Sequence, residues 1–97
     1  MRIIALSRLR GYWDTHPQAE IPLRNWYRLV SRSIWHSPAD IKAAYRNASI
    51  LPSNRVVFNI KGNDLRLIVV VHYDRHVLYV RFIGGHEEYD AIDANTV

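Results

Sequence analysis

The sequence predicts an α+β fold in which N-terminal helices pack on one face of a small antiparallel β-sheet. Three observations carry this. In the first half, apolar residues recur at three- and four-residue spacing, the period of a helix that faces a core. From Arg55 onward they alternate within runs rich in Val, Ile, Tyr and Phe, broken by short polar turns, which is the period of strands. The chain has 97 residues, the size of a single domain with one core. Residues 1–97 therefore read as one domain, helical over about 1–50, with the sheet and a functional tail over about 55–93.

Taken in order, residues from about Leu6 to Thr15 form a first helix. His16-Pro17 interrupts it, because Pro disfavours a helical residue before it and suits the start of the next helix. A second helix runs to about Trp35. Its apolar stripe is Ala19, Leu23, Trp26 with Tyr27, Val30 and Ile34, and Pro22 falls in its first turns. Ser37-Pro38-Ala39-Asp40 is a further start, with Ser as cap, Pro at the first position and an acid where the helix dipole favours one. That short helix ends near Arg46, and Leu51-Pro52-Ser53-Asn54 is loop. Strands follow over Arg55 to Lys61, Leu65 to Tyr73 and His76 to Gly84, joined by two-residue hairpin loops at Gly62-Asn63 and Asp74-Arg75. After Gly84-Gly85, the segment HEEYDAID forms a last helical turn or an extended tail.

Composition narrows the function classes. Hydrophobic residues make up 48% and charged residues 23%, a globular balance. There is no cysteine, which removes disulfides and thiolate metal sites and suits a reducing compartment. No apolar run approaches the ~20 residues of a membrane span. The opening MRIIALSRLRGYW lacks the apolar region and cleavage site of a signal peptide. The expectation is a cytoplasmic protein without membrane contact. His16, His36, His72, His76 and His86 form no helical His-x-x-x-His pair, so no metal is expected. Net charge is +4, but it is uneven. Residues 1–66 hold eleven basic and four acidic side chains, a balance of +7, and residues 67–97 hold two and five, a balance of −3. Eleven of the thirteen basic residues are Arg, whose planar fork grips phosphate. The ligand this implies is a polyanion or an acidic protein.

Hairpin register then sorts the strands into faces. One face carries Val56, Phe58, Ile60, Leu65, Leu67, Val69, Val71, Tyr73, Leu78, Val80 and Phe82, and should pack on the helices. The other carries Asn59, Lys61, Arg66, Ile68, Val70, His72, Tyr79, Arg81 and Ile83. With Asn59 opposite Arg66 and Ile68 opposite Arg81, the two arginines become diagonal neighbours, roughly 7–8 Å apart at the backbone. Clustered like charges repel across strands, so the arrangement makes sense if an anion sits there. The plainer reading is a solvated face with an exposed Lys61–Asp64 pair worth at most ~1 kcal/mol.

Residues 56–93, VVFNIKGNDLRLIVVVHYDRHVLYVRFIGGHEEYDAID, resemble the C-terminal half of HigB toxins. The signature is NIKGND, then LRLI, then VRFIGGHEEYD at matching spacing. Weaker likeness continues upstream through His16-Pro17, Trp26, Trp35 with Pro38, and Asp40, so it covers nearly the whole chain. Gly85 stands where the family pattern has Thr, which loosens the backbone without removing a titratable group. The resemblance implies the RelE-like fold and ribosome-dependent cleavage of mRNA in the 30S A site. It also implies a cognate HigA-like helix-turn-helix antitoxin, contact with operator DNA only through that antitoxin, and no cofactor. The matching site positions are Lys61, Arg66, Arg81 and Tyr89, with His86 at a His of the HigB pattern. Asn59, Lys61, Arg66 and Arg81 are the expected RNA-binding set.

Those residue types suit metal-free RNA cleavage by the ribose 2′-OH. That reaction needs a group to take the 2′ proton, charge to stabilise the phosphorane-like state, and an acid for the 5′-oxygen. Arg66 and Arg81 suit the charge. Lys61 adds another, or serves as base with a lowered pKa. Tyr89 can stack on a base or move a proton, and His86 titrates nearest neutrality. Trp13, Trp26 and Trp35 read as core, and Glu87, Glu88, Asp90 and Asp93 as solvated charge or partner contacts. Two rival functions remain: a non-catalytic binder that blocks the ribosome through the same basic face, and a gyrase-directed toxin on the related ParE scaffold.

Overall fold

The computed structural model describes residues 1–62 and 64–97. Its elements are β1 (Arg2–Ile4), α1 (Leu6–Thr15), a 3-10 turn (Pro17–Ala19), α2 (Glu20–Arg32), α3 (Pro38–Ala44), β2 (Ser49–Ile50), β3 (Arg55–Ile60), β4 (Leu65–His72), β5 (Val77–Gly85) and α4 (His86–Asp90). The five strands form one sheet in the order β1-β5-β4-β3-β2. The α+β class is as the sequence predicts, with the three long antiparallel strands at its centre. Two short edge strands are additions. β1 lies parallel to β5, which makes the sheet mixed, and β2 pairs antiparallel with β3.

The helices form where periodicity and the prolines direct them, although the Ser37 side chain makes no capping bond, and α2 and α3 end earlier than the sequence suggests. α2 stops at Arg32 because Ser33 turns to extended backbone. Ile34 therefore leaves the apolar stripe and stands 61% exposed. Asp40, in the first turn of α3, accepts from the His36 N–H at 2.8 Å. Leu9, Trp13, Leu23, Trp26, Val30 and Ile41 bury against Val56, Phe58, Leu67, Val69, Leu78 and Val80 on one face of the sheet. Trp26 meets Phe58 edge to face at 5.5 Å between ring centres, within the range such pairs prefer. The Met1 amine reaches the carbonyls of Val30, in the last turn of α2, and of Ser33, just after it.

Register agrees with expectation at β3–β4, where Asn59 faces Arg66 and Ile60 faces Leu65. The hairpin loop expected at Gly62-Asn63 includes Asn63, which lies outside the described residues. At β4–β5 register agrees from His72–Val77 to Val69–Val80 and then slips by one residue. A bulge at Arg81 sets Ile68 against Phe82, Leu67 against Ile83 and Arg66 against Gly84. This corrects the expected faces. An extra residue in one strand flips every side chain beyond it. Ile83 packs on the main core, and Phe82 shares the outer face with Arg81. Val57 and Ile68, 2% and 0% exposed, are buried without belonging to the main core cluster. The outer face thus has a small apolar floor of its own.

Candidate functional site

Leu65 pairs with Ile60 on one side and Gly85 on the other, so the β3–β4 turn and the β5–α4 junction lie at the same end of the sheet. That end gathers Asn59, Lys61, Arg66, His86 and Tyr89. Asn59 is cross-strand to Arg66, and its Nδ2 donates to the Asn47 carbonyl at 3.3 Å. The Arg66 guanidinium, half-buried, lies 5.7 Å from the centre of the Tyr89 ring. Lys61 adopts a positive φ of 53° and pairs with Asp64 at 3.8 Å, both side chains exposed. His86 Nε2 sits 3.3 Å from Asp90 Oδ2, one helical turn on.

α4 holds Tyr89 and His86 in place through two local devices. Glu88 Oε1 accepts from the Gly85 N–H at 3.1 Å, satisfying a donor the first turn would otherwise leave open. Gly84 allows the close approach: a Cβ there would lie 2.7 Å from Phe82 Cζ and 3.1 Å from Glu88 Cβ. Glu88 also reaches back toward α1. Burial first, and then the Glu88 charge, raise the Tyr12 hydroxyl above its ordinary pKa.

Arg81 does not join this cluster in the way its sequence position suggests. The bulge pairs Arg66 with Gly84, three residues beyond Arg81, a separation of roughly 10 Å along the strand. The two arginines are therefore further apart at the backbone than the diagonal neighbours the sequence predicts. Arg81 Nε instead donates to the Val97 main-chain oxygen at 3.4 Å, and Arg55 Nη1 donates to the same oxygen. β1 ends opposite Tyr79, leaving the further edge of β5 without a strand partner. Arg8 Nη1 of α1 fills that gap by donating to the Arg81 carbonyl at 3.0 Å. Sequence reasoning passed over Arg55, although alternate spacing from Asn59 puts it on the outer face.

A second basic group lies on the helical side. Arg10, Arg24, Arg28 and Arg32 line a cavity of 280 Å³ with Trp13 and Tyr27. Arg24 is engaged there, 4.9 Å above the Trp13 ring and 2.7 Å from Glu20 Oε2. Its signal in the sequence is the four-residue spacing of Arg24, Arg28 and Arg32, one face of α2. Among the described residues no group of three or more His, Asp or Glu is placed to hold a metal ion. No helix among them is long and apolar enough to cross a membrane.

Residues 19–92 match the family model described as HigB_toxin, RelE-like toxic component of a toxin-antitoxin system. The chain is similar to the mRNA interferase toxin HigB of Escherichia coli K12, at 25% identity over 96 residues, 97% of this chain and 92% of the relative. It is equally similar to the mRNA interferase HigB of Shigella flexneri. The mRNA interferase HigB of Escherichia coli O6:H1 is 23% identical over 94 residues, 95% of this chain and 91% of that protein.

Proposed function

The chain belongs to the HigB family, the RelE-like toxic component of a toxin–antitoxin system, and from that premise we propose that it is an endoribonuclease that cleaves mRNA on the ribosome. The observation that supports this most is the Arg66–Tyr89 pair at the end of the sheet, with Lys61 and His86 beside it. Arg66 binds the scissile phosphate and stabilises the charge that builds on it, since a guanidinium stays protonated and chelates two oxygens. Lys61 adds a second positive charge. Tyr89 and His86 carry the proton transfers, one to accept from the 2′-OH and one to donate to the 5′-oxygen. Asn59 and Arg81 hold the RNA strand. No cofactor enters the reaction. The protein works in the cytoplasm, where a HigA-like helix-turn-helix antitoxin neutralises it and carries the pair to operator DNA.

The test is induced expression followed by primer extension on cellular mRNA. Breaks should appear with the native chain. They should fall about 10²–10³-fold in Arg66→Ala, the usual effect of removing one transition-state donor. Tyr89→Phe should lower cleavage while leaving ribosome association unchanged. Growth arrest without breaks, retained in Tyr89→Phe, would replace this reading with that of a non-catalytic ribosome binder. A DNA-damage response would point instead to a gyrase target.

A further inference from the structure

Arg55 on β3 and Arg81 at the β5 bulge reach over the outer face from either side of β4 and donate to one oxygen, the main-chain oxygen of Val97. We propose that these two arginines form a second phosphate seat, which binds a backbone phosphodiester next to the one that is cut and which the segment 91–97 fills in the free protein. The inference rests on the RNA-cleavage reading above and adds to it a substrate-binding residue, Arg55, and a strap that must be displaced.

The geometry argues for an oxyanion. Two guanidinium forks that converge on one oxygen suit an oxyanion, because each bond to such a group is charge-assisted. The ion pairs among the described residues join Glu20 to Arg24, Asp64 to Lys61 and Asp90 to His86, so neither Arg55 nor Arg81 is neutralised by a side-chain carboxylate. Position argues for a neighbouring phosphate rather than the scissile one. Arg81 lies three residues from the partner of Arg66, roughly 10 Å along the strand, and its fork is turned to the oxygen it shares with Arg55. Between them lies the Ile68–Phe82 step, with the Phe82 ring half-buried on the outer face. An aromatic ring between two phosphate contacts is where a base of a single strand stacks.

The strap is built to leave. Ile92, Ala94 and Val97 are half-buried while Asp93, Asn95 and Thr96 are exposed, the pattern of a segment resting on a surface. Its remaining bonds are local: Thr96 and Val97 donate their N–H groups to the Asp93 carbonyl, and Asn95 donates to Asp93 Oδ1. Lifting it frees both arginines, which flank the apolar floor of Val57 and Ile68.

The experiment uses a labelled single-stranded RNA with 2′-O-methyl groups throughout, which binds without being cut. In the full chain, Arg55→Ala should reduce the slope of log affinity against log salt by about one, the signature of one lost phosphate contact. Arg55→Lys should keep the slope and lose several-fold in affinity, since charge remains and the fork does not. A fluorine tag on Thr96→Cys should move toward its random-coil resonance as RNA saturates the native background. An unchanged slope in a folded Arg55→Ala protein, an unmoved resonance at saturation, or no RNA binding at all would each overturn the seat. Ribosomal cleavage by the native chain, measured alongside, separates the two readings. Cleavage with an unchanged slope sinks the seat alone, and a reduced slope without cleavage sinks the enzyme alone.

Discussion

At Gly84 the constraint is room rather than backbone freedom. The residue sits inside β5, yet a methyl group there would press on Phe82 Cζ and Glu88 Cβ. Phe82 can move its ring end, but Glu88 is held by its bond to Gly85. Gly84→Ala should therefore cost about 1–3 kcal/mol, the usual result of overpacking. Urea denaturation would read this as a lower midpoint at unchanged slope. Part of the damage should appear in cleavage, because the displaced Glu88 carries α4 with it. Arg66 and Arg81 differ in the same concrete way. Arg66 meets an aromatic ring from the tail, whereas Arg81 shares an acceptor with Arg55. Two arginines that look equivalent in sequence have different neighbours.

Among the elements, α4 is the one whose stability and function separate most cleanly. It has five residues, and none of them is buried. An isolated helix this short has no stability of its own, so it depends on its junction with β5. Glu88→Ala removes the acceptor for the Gly85 N–H. It should lower stability by about 1 kcal/mol, as loss of a cap does, while reducing cleavage far more, because Tyr89 and His86 lose their fixed positions. Thermal melting and ribosomal cleavage on the same sample would show the disproportion. The strands teach what a single sequence can carry. Hairpin register, with Asn59 opposite Arg66, assigns the faces of VVFNI and LRLIVVV, and β3 and β4 pair as read. At Phe82-Ile83 two large apolar residues are adjacent, so alternation is satisfied with either one inward. The bulge chooses Ile83, and no local pattern announces it. β1 escaped for another reason: three residues are too few for a period, and their partner lies at the far end of the chain. The nearness of Tyr89 to Arg66 was beyond any register argument. The family resemblance named the residue, and the course of β5 into α4 brings it there.

For the molecule as a whole, titration at high pH offers a direct probe of packing. Burial raises the Tyr45 and Tyr73 hydroxyls above their ordinary value of 10.0. The fold favours the protonated phenol, so this contribution is fully present below the unfolded value and is lost as pH rises through the folded one. Stability should hold from neutral pH to about 10 and then decline. Tyr45→Phe, whose ring meets Trp35 and Phe58 edge to face, should flatten that decline in urea midpoints taken across the range. The two basic groups, one on the sheet and one along α2, sit on opposite sides of the main core. Electrostatic attraction to a polyanion therefore acts on the whole body and does not by itself orient it. On the proposed reading, orientation falls to the shaped contacts at Arg66, Tyr89, Arg55 and Arg81.

The pairing of β1 with β5 also bears on time. Arg8 and Arg81 stand 73 positions apart in the chain and yet share a hydrogen bond, and β1 has no strand neighbour until β5 arrives. Contacts of such long sequence separation close a large loop and form late. During synthesis the first helices emerge well before β5, the strand that completes their sheet, and α4 follows β5. With the site proposed above, a nascent chain has no assembled cutting edge while it is still threaded through a ribosome of its own. Potency begins only after the final strand has been delivered.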